Sequence, residues 1–137
     1  MKKLLVAVLV LFSSCIALKA QYNSVGYDES SKRWNVNITD FIYTYESNEP
    51  TKITAFNLTI ENKTMYSISA IDVEIVLEIN GKIFFKKTCQ VAISPSCAPG
   101  EIQNTRQWFF GGNGLLRSNF GKKFTWSAKV VQIYEPT

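Results

Sequence analysis

Apolar and polar residues alternate with a period of two along most of the chain beyond residue 33, and almost no stretch has a helical period. The clearest case is residues 71–79, where every second side chain is apolar. Successive side chains of a strand point to opposite faces, so this pattern predicts strands with one buried face. Asn80-Gly81 follows at once and predicts a type I′ hairpin turn, which needs positive φ at both central residues.

About seven such strands, separated by turn signals, predict an all-β fold, an antiparallel immunoglobulin-like β-sandwich. We expect residues 1–20 to be a signal peptide, 21–33 a flexible lead-in and 34–137 the sandwich domain. Pro50 is expected to prevent a continuous strand at that point, since proline cannot donate to a ladder. Pro95 and Pro99 predict a crossover or corner within residues 89–101.

Residues 53–85 carry a more specific pattern. A strand ends in the turn Asn62-Lys63-Thr64, and an Ile/Val-rich strand then closes at a turn carrying Gly81. This segment resembles small sandwich domains of the FxLYD and late-embryogenesis-abundant type. The resemblance implies the same architecture and no catalytic residue. It also implies an extracytoplasmic adhesion, scaffolding or ligand-presenting role.

The first 20 residues have the layout of a secretory signal peptide. Lys2 and Lys3 precede an apolar run at residues 4–12, and small residues follow. The run is too short to span a bilayer of about 30 Å as a helix. The start Met-Lys-Lys is typical of bacterial leaders, so we expect a secreted or periplasmic protein.

Two forms of the mature N-terminus remain open. Ordinary cleavage after Ala20 exposes Gln21. Alternatively, residues 11–15 resemble a bacterial lipobox, in which Cys15 becomes the lipidated N-terminus, although Phe12 stands where an aliphatic residue is usual. The membrane would then be a partner only through this N-terminal lipid.

Charge excludes nucleic acid as an expected partner. The chain has a net charge of +4, but removal of residues 1–20 leaves 12 basic against 11 acidic side chains, a net of +1. The mature domain therefore has no basic footprint for phosphate.

Residue chemistry argues against an enzyme. The chain has no histidine, which excludes Ser-His-Asp and Cys-His arrangements and the usual zinc ligands, so we expect no metal and no cofactor. Cys89 and Cys97, separated by seven residues that include Pro95, are predicted to form a structural disulfide. Asp72, Glu74 and Glu78 share an outward strand face, which solubility alone explains.

Two sets of residues are candidate surface sites. Asn37, Asn57 and Asn62 each begin an Asn-x-Thr sequon and are candidate glycosylation sites if the source is eukaryotic. Clustered aromatic and apolar residues near a glycine-rich loop form a candidate contact loop. The alternative is that Trp108 and Phe110 belong to the core. The members of the contact loop are Trp108, Phe109, Phe110, Leu115, Leu116 and Phe120.

The sequence therefore predicts an exported, non-catalytic binding or structural module at the cell surface or in the periplasm. Its expected partner is another protein or a cell-surface component. One alternative is a secreted inhibitor or effector that binds a protein through the contact loop or by addition of a strand to a sheet edge. A weaker alternative is a carbohydrate-binding or carbohydrate-active domain that uses the acidic face. The oligomeric state is left open.

Overall fold

The chain folds into antiparallel β-sheets, which confirms the all-β prediction. The computed structural model describes residues 26–46, 48–112, 114–116 and 124–137, so the predicted signal peptide and Cys15 lie outside the described residues. Every regular element in these ranges is a strand. The ten strands are β1 (Tyr27–Asp28), β2 (Arg33–Trp34), β3 (Val36–Glu46), β4 (Glu49–Asn62), β5 (Ile68–Ile79), β6 (Lys82–Cys97), β7 (Ile102–Asn104), β8 (Trp108–Phe109), β9 (Leu115–Leu116) and β10 (Thr125–Tyr134).

Two main sheets share one core. The first sheet has the order β10-β5-β6. In the second sheet, β4 pairs with β3 on one side and with the short strands β7, β8 and β9 in succession on the other. A separate two-stranded ribbon joins β1 to β2.

Strand β5 shows how the alternating sequence produces the core. Ile71, Val73, Ile75 and Leu77 are fully buried, whereas the residues between them are only partly covered. Burial of each such aliphatic side chain contributes about 1.5–3 kcal/mol. The predicted hairpin after β5 is confirmed, because Asn80 and Gly81 both have positive φ, 50° and 77°.

Aromatic side chains join the two sheets. Phe41 on β3 stacks on Trp126 of β10 with ring centroids 5.8 Å apart, and on Phe56 of β4 at 5.2 Å. Phe110, just after β8, meets Phe85 of β6 edge-to-face at 5.3 Å. Phe41, Phe56 and Phe110 belong to the core between the sheets, and Phe85 packs against it. Trp126 lies at the margin of this core and is 36% exposed.

Proline interrupts the strands less than the sequence predicts. The expected break at Pro50 is wrong, because β4 begins at Glu49 and includes it. The ladder pairs Tyr45 with Ile53 and Glu46 with Glu49, so Pro50 lies in a bulged stretch that has no partner in β3. A bulge tolerates the missing N–H.

The predicted corner near Pro95 takes the form of a larger bulge. Ala92 pairs with Ala70 and Cys97 with Ile68, so four residues of β6 lie opposite Ser69 alone. Ile93, in this bulge, forms an isolated bridge with Thr105, which follows β7 and donates its N–H to the Leu58 carbonyl of β4. Strand β6 thus continues to Cys97, and the bridge at Ile93 connects the two sheets at this end of the domain.

The described part of the predicted flexible lead-in, residues 26–33, contains regular structure, and residues 21–25 lie outside the described ranges. The β1–β2 ribbon places Trp34 5.4 Å from Tyr27 and 6.1 Å from Tyr66, centroid to centroid. The Asn35 N–H also donates to the Gly26 carbonyl at 2.7 Å. The β1–β2 ribbon thus packs against the domain within a segment whose polar sequence predicts no regular structure.

Candidate functional site

The two cysteines of the domain are free thiols, and the predicted disulfide between them is contradicted. Cys89 lies opposite Val73, and Cys97 lies opposite Ile68, which precedes Val73 by five residues in β5. At about 3.4 Å per residue, these positions are about 17 Å apart. A disulfide needs Cα atoms within about 7 Å, so this register cannot accommodate the bond.

Neither thiol has the environment of a nucleophile. Cys89 is 3% exposed and Cys97 is fully buried. Burial raises the pKa of both thiols, and the Cys97 S–H donates to the Glu101 carbonyl at 3.3 Å. Because the thiolate is the reactive form, both side chains act as core residues.

Asn62 is a fully buried hydrogen-bonding centre, which contradicts its candidacy as a glycosylation site. Its Nδ2 donates to the carbonyls of Tyr66 at 2.6 Å and Cys97 at 3.1 Å. Its Oδ1 accepts from the Thr64 N–H at 3.0 Å and the Thr64 hydroxyl at 2.7 Å. A glycan on Nδ2 would displace one of these bonds and has no space around it.

The backbone of Asn62 completes the same cluster. Its N–H donates to the Glu101 carbonyl at 3.0 Å, and its carbonyl accepts from the Gly100 N–H at 2.7 Å. The Asn62 cluster, meaning Asn62 with Thr64, Tyr66, Cys97 and the 100–101 turn, therefore ties both sheets together. A turn in which an Asn side chain bonds the backbone two residues on can be recognised in the sequence after a strand. The burial of Asn62 depends on tertiary packing, which the sequence pattern does not show.

The other two sequons lie on the outer face of the second sheet. Asn37 is exposed, with its Nδ2 3.4 Å from Glu61 Oε1, and Asn57 is half-buried. Both positions agree with the outward placement that the alternation predicts. Glycosylation of Asn37 and Asn57 stays a prediction.

The candidate contact loop does not form a single aromatic surface in the described residues. Trp108 packs on Phe56 at 5.3 Å and on Phe110 at 5.3 Å, while Phe110 is 9% exposed, so both rings face the core. Phe109 points outward and is 65% exposed. Leu115 is half-buried. The side chain of Leu116 and all of Phe120 lie outside what the structure describes.

The acidic strand face is engaged in ordinary surface contacts. The Tyr134 hydroxyl donates to Asp72 Oδ2 at 2.8 Å, which raises the tyrosine pKa. Lys129 Nζ lies 4.0 Å from Glu74 Oε1 across the β5–β10 ladder. Glu78 lies further along the same face, opposite Thr125. Within the described ranges, no group of three or more His, Cys, Asp or Glu side chains is placed to hold a metal ion.

The outer side of β6 is the remaining candidate contact surface. Among the described strands, β6 ends its sheet, and we call Lys82, Ile83 and residues 85–90 of this strand the β6 edge. Ile83 is 54% exposed there, and Lys82 and Lys86 are exposed. Lys87 instead extends to Trp108, with Nζ 5.1 Å from the ring centroid.

Comparison with known proteins finds no matching family model, no similar curated protein and no similar solved structure. No helix in the described part of the chain is long and apolar enough to cross a membrane.

Proposed function

We propose that the chain is an exported, non-catalytic β-sandwich of immunoglobulin-like type that serves as a binding or structural module at the cell surface or in the periplasm. The observation that carries the proposal is a leader that resembles a signal peptide, followed by a domain whose thiols, Asp72 and Glu74 are buried or paired within the fold. Both thiols are buried, the chain has no histidine, and Asp72 and Glu74 face partners on β10.

Strand order supports the immunoglobulin-like assignment. Immunoglobulin domains place strands A, B, E and D in one sheet and strands C, F and G in the other, with C′ and C″ added in variable-type domains. The described strands of this chain include counterparts of all but D, G and C″. Here β3, β4 and the β7–β9 segments correspond to A, B and E. Strands β5, β6 and β10 correspond to C, C′ and F. The chain passes between sheets after β4, β6 and β9, as in a Greek key.

Export is tested by a charge placed in the apolar run of the leader. Val8→Arg interrupts that run, whereas Val8→Leu preserves it and is the matched control. We expect Val8→Leu to be processed and exported and Val8→Arg to accumulate inside the cell with residues 1–20 attached. Equal export of both variants would contradict a signal-peptide role.

Cys15→Ser separates the two mature forms. If Cys15 is lipidated, this variant loses membrane association and its N-terminal lipid. If cleavage follows Ala20, fractionation and mature mass are unchanged, because Cys15 is discarded with the leader. Either result identifies the N-terminus of the exported domain.

The β6 edge favours a protein ligand as a second, more specific candidate. A strand at the end of a sheet can pair through its backbone with an added strand. Lys82 and Lys86 oppose pairing between two copies of this edge, since like charges would meet, and suit an acidic partner strand. A partner that adds here would cover Ile83.

Site-specific photo-crosslinking tests this contact in cells. A photoreactive residue replaces Ile83 in one variant and exposed Ser127, on the opposite edge strand, in the control. We expect a discrete adduct only from position 83, and its loss when Lys86→Glu is added. The same adduct from both positions, or persistence with Lys86→Glu, would contradict recognition by a basic edge strand.

A further inference from the structure

We propose that the native fold and a Cys89–Cys97 disulfide are mutually exclusive, so that the bond forms only in the unfolded chain and then prevents folding. This inference goes beyond the proposed function and does not depend on what the domain binds. It rests on the strand register, which separates Cys89 from Cys97 in the folded chain, and on the burial of both thiols.

The register sets the separation in the folded state. Cys89 pairs with Val73 and Cys97 with Ile68, which places their Cα atoms about 17 Å apart. Between them, Gln90, Val91 and Ala92 continue the ladder with β5. Closing the bond would require this part of β6 to leave β5 and would remove Val91 from the core, where it is 2% exposed.

The unfolded chain has no such obstacle. Only seven residues separate the two cysteines, and short flexible loops close at little entropic cost. A low-molecular-weight disulfide such as oxidised glutathione supplies the oxidising equivalents. One cysteine thiolate first forms a mixed disulfide and releases one glutathione thiol. The second cysteine then displaces the other glutathione, so two protein thiols lose two electrons and two protons, and one Sγ–Sγ bond forms.

Folding protects the same thiols. Cys97 is fully buried and donates its S–H to the Glu101 carbonyl, and Cys89 faces the core from β6. The attacking species in thiol–disulfide exchange is the exposed thiolate, which burial disfavours. The oxidant can therefore react at an appreciable rate only when the chain opens. Order of events then decides the outcome: folding before oxidation gives the native domain, and oxidation before folding gives a trapped chain.

Refolding under controlled redox conditions tests this directly with the full chain carrying Cys15→Ser, in which Cys89 and Cys97 are the only two thiols. One sample is unfolded in urea with dithiothreitol and another in urea with oxidised glutathione, and denaturant is then removed. We expect the reduced sample to regain native tryptophan fluorescence and a cooperative urea transition. The oxidised sample, two hydrogen atoms lighter by mass, should show neither until dithiothreitol is added.

Two controls separate the disulfide from other effects of the oxidant. The variant Cys89→Ala with Cys97→Ala should refold equally with either reagent. In the folded protein, Cys89 and Cys97 should react with iodoacetamide about a thousandfold more slowly than the same two residues in urea, as read by peptide mass. A cooperative transition at the wild-type midpoint in the chain carrying the Cys89–Cys97 bond would overturn the proposal. Formation of that bond in the folded protein without loss of native fluorescence would overturn it equally.

Discussion

Replacement of Asn62 by alanine is predicted to be one of the most destabilising polar substitutions in the domain. The side chain is fully buried and makes four hydrogen bonds, to Tyr66, Cys97 and twice to Thr64. A buried hydrogen bond contributes about 1 kcal/mol net, and more when its partner is left unsatisfied. The Tyr66 carbonyl keeps the Thr64 hydroxyl at 3.3 Å, which offsets part of one loss. We therefore expect the free energy of unfolding to fall by about 3–4 kcal/mol.

Urea denaturation followed by tryptophan fluorescence measures this change. At a slope of about 1–3 kcal/mol per molar urea, a loss of about 3–4 kcal/mol in Asn62→Ala should lower the midpoint by about 1–4 M without changing the slope. Asn57→Ala, on the outer face of the same strand, is the matched control and should change stability by less than about 0.5 kcal/mol. Equal losses of stability in the two variants would contradict a role of the Asn62 cluster in joining the sheets.

Asn62→Asp distinguishes lost hydrogen bonds from a lost side-chain volume. Aspartate has nearly the same shape, but it places an acceptor against the Tyr66 and Cys97 carbonyls and buries a charge. It should destabilise the domain at pH 7 at least as much as alanine does. A near-neutral Asn62→Asp would show that the cluster contributes packing alone.

Three further substitutions or titrations test local features. Gly114→Ala should destabilise by about 1–3 kcal/mol in urea unfolding, because an added Cβ would lie 2.6 Å from the Ile53 carbonyl oxygen and φ is +68°. Gly111→Ala, where space is open, should have a small effect, and equal effects would contradict this explanation. Leu58→Ala, in the core, should cost about 2–5 kcal/mol, whereas exposed Ile42→Ala should cost far less by the same assay. Asp28 should titrate with a pKa of about 2 by carbon NMR, chiefly because the Ser31 hydroxyl donates to its carboxylate. Its stabilisation is then present above pH 3.8 and lost as pH falls toward 2, and Ser31→Ala should raise this pKa.

Local sequence signals predicted the features that depend on neighbouring residues. Strand β5 and the Asn80-Gly81 turn follow from alternation and from the need for positive φ, and both are present. The same reasoning correctly placed Asp72 and Glu74 on the outward face of the strand. These features are set within a few residues, so tertiary packing does not change them.

Features that depend on strand register and on packing between distant residues could not be predicted from local sequence patterns. Seven residues of sequence suggested that Cys89 and Cys97 could bond, but an extended β6 separates them. Pro50 was expected to end a strand, and a bulge accommodates it instead. Asn62 was predicted to be a turn residue that could carry a glycan, but it is buried. No local pattern shows that the 100–101 turn covers it.

The intact mass of the protein isolated from its own cells shows whether it is an exported domain with two protected thiols. We expect a chain without the leader, beginning at Gln21 or at a lipid-bearing Cys15, with both Cys89 and Cys97 in the thiol form. A mass that retains residues 1–20 would contradict export. A mass two hydrogen atoms lighter in the folded protein would contradict the register of β5 and β6.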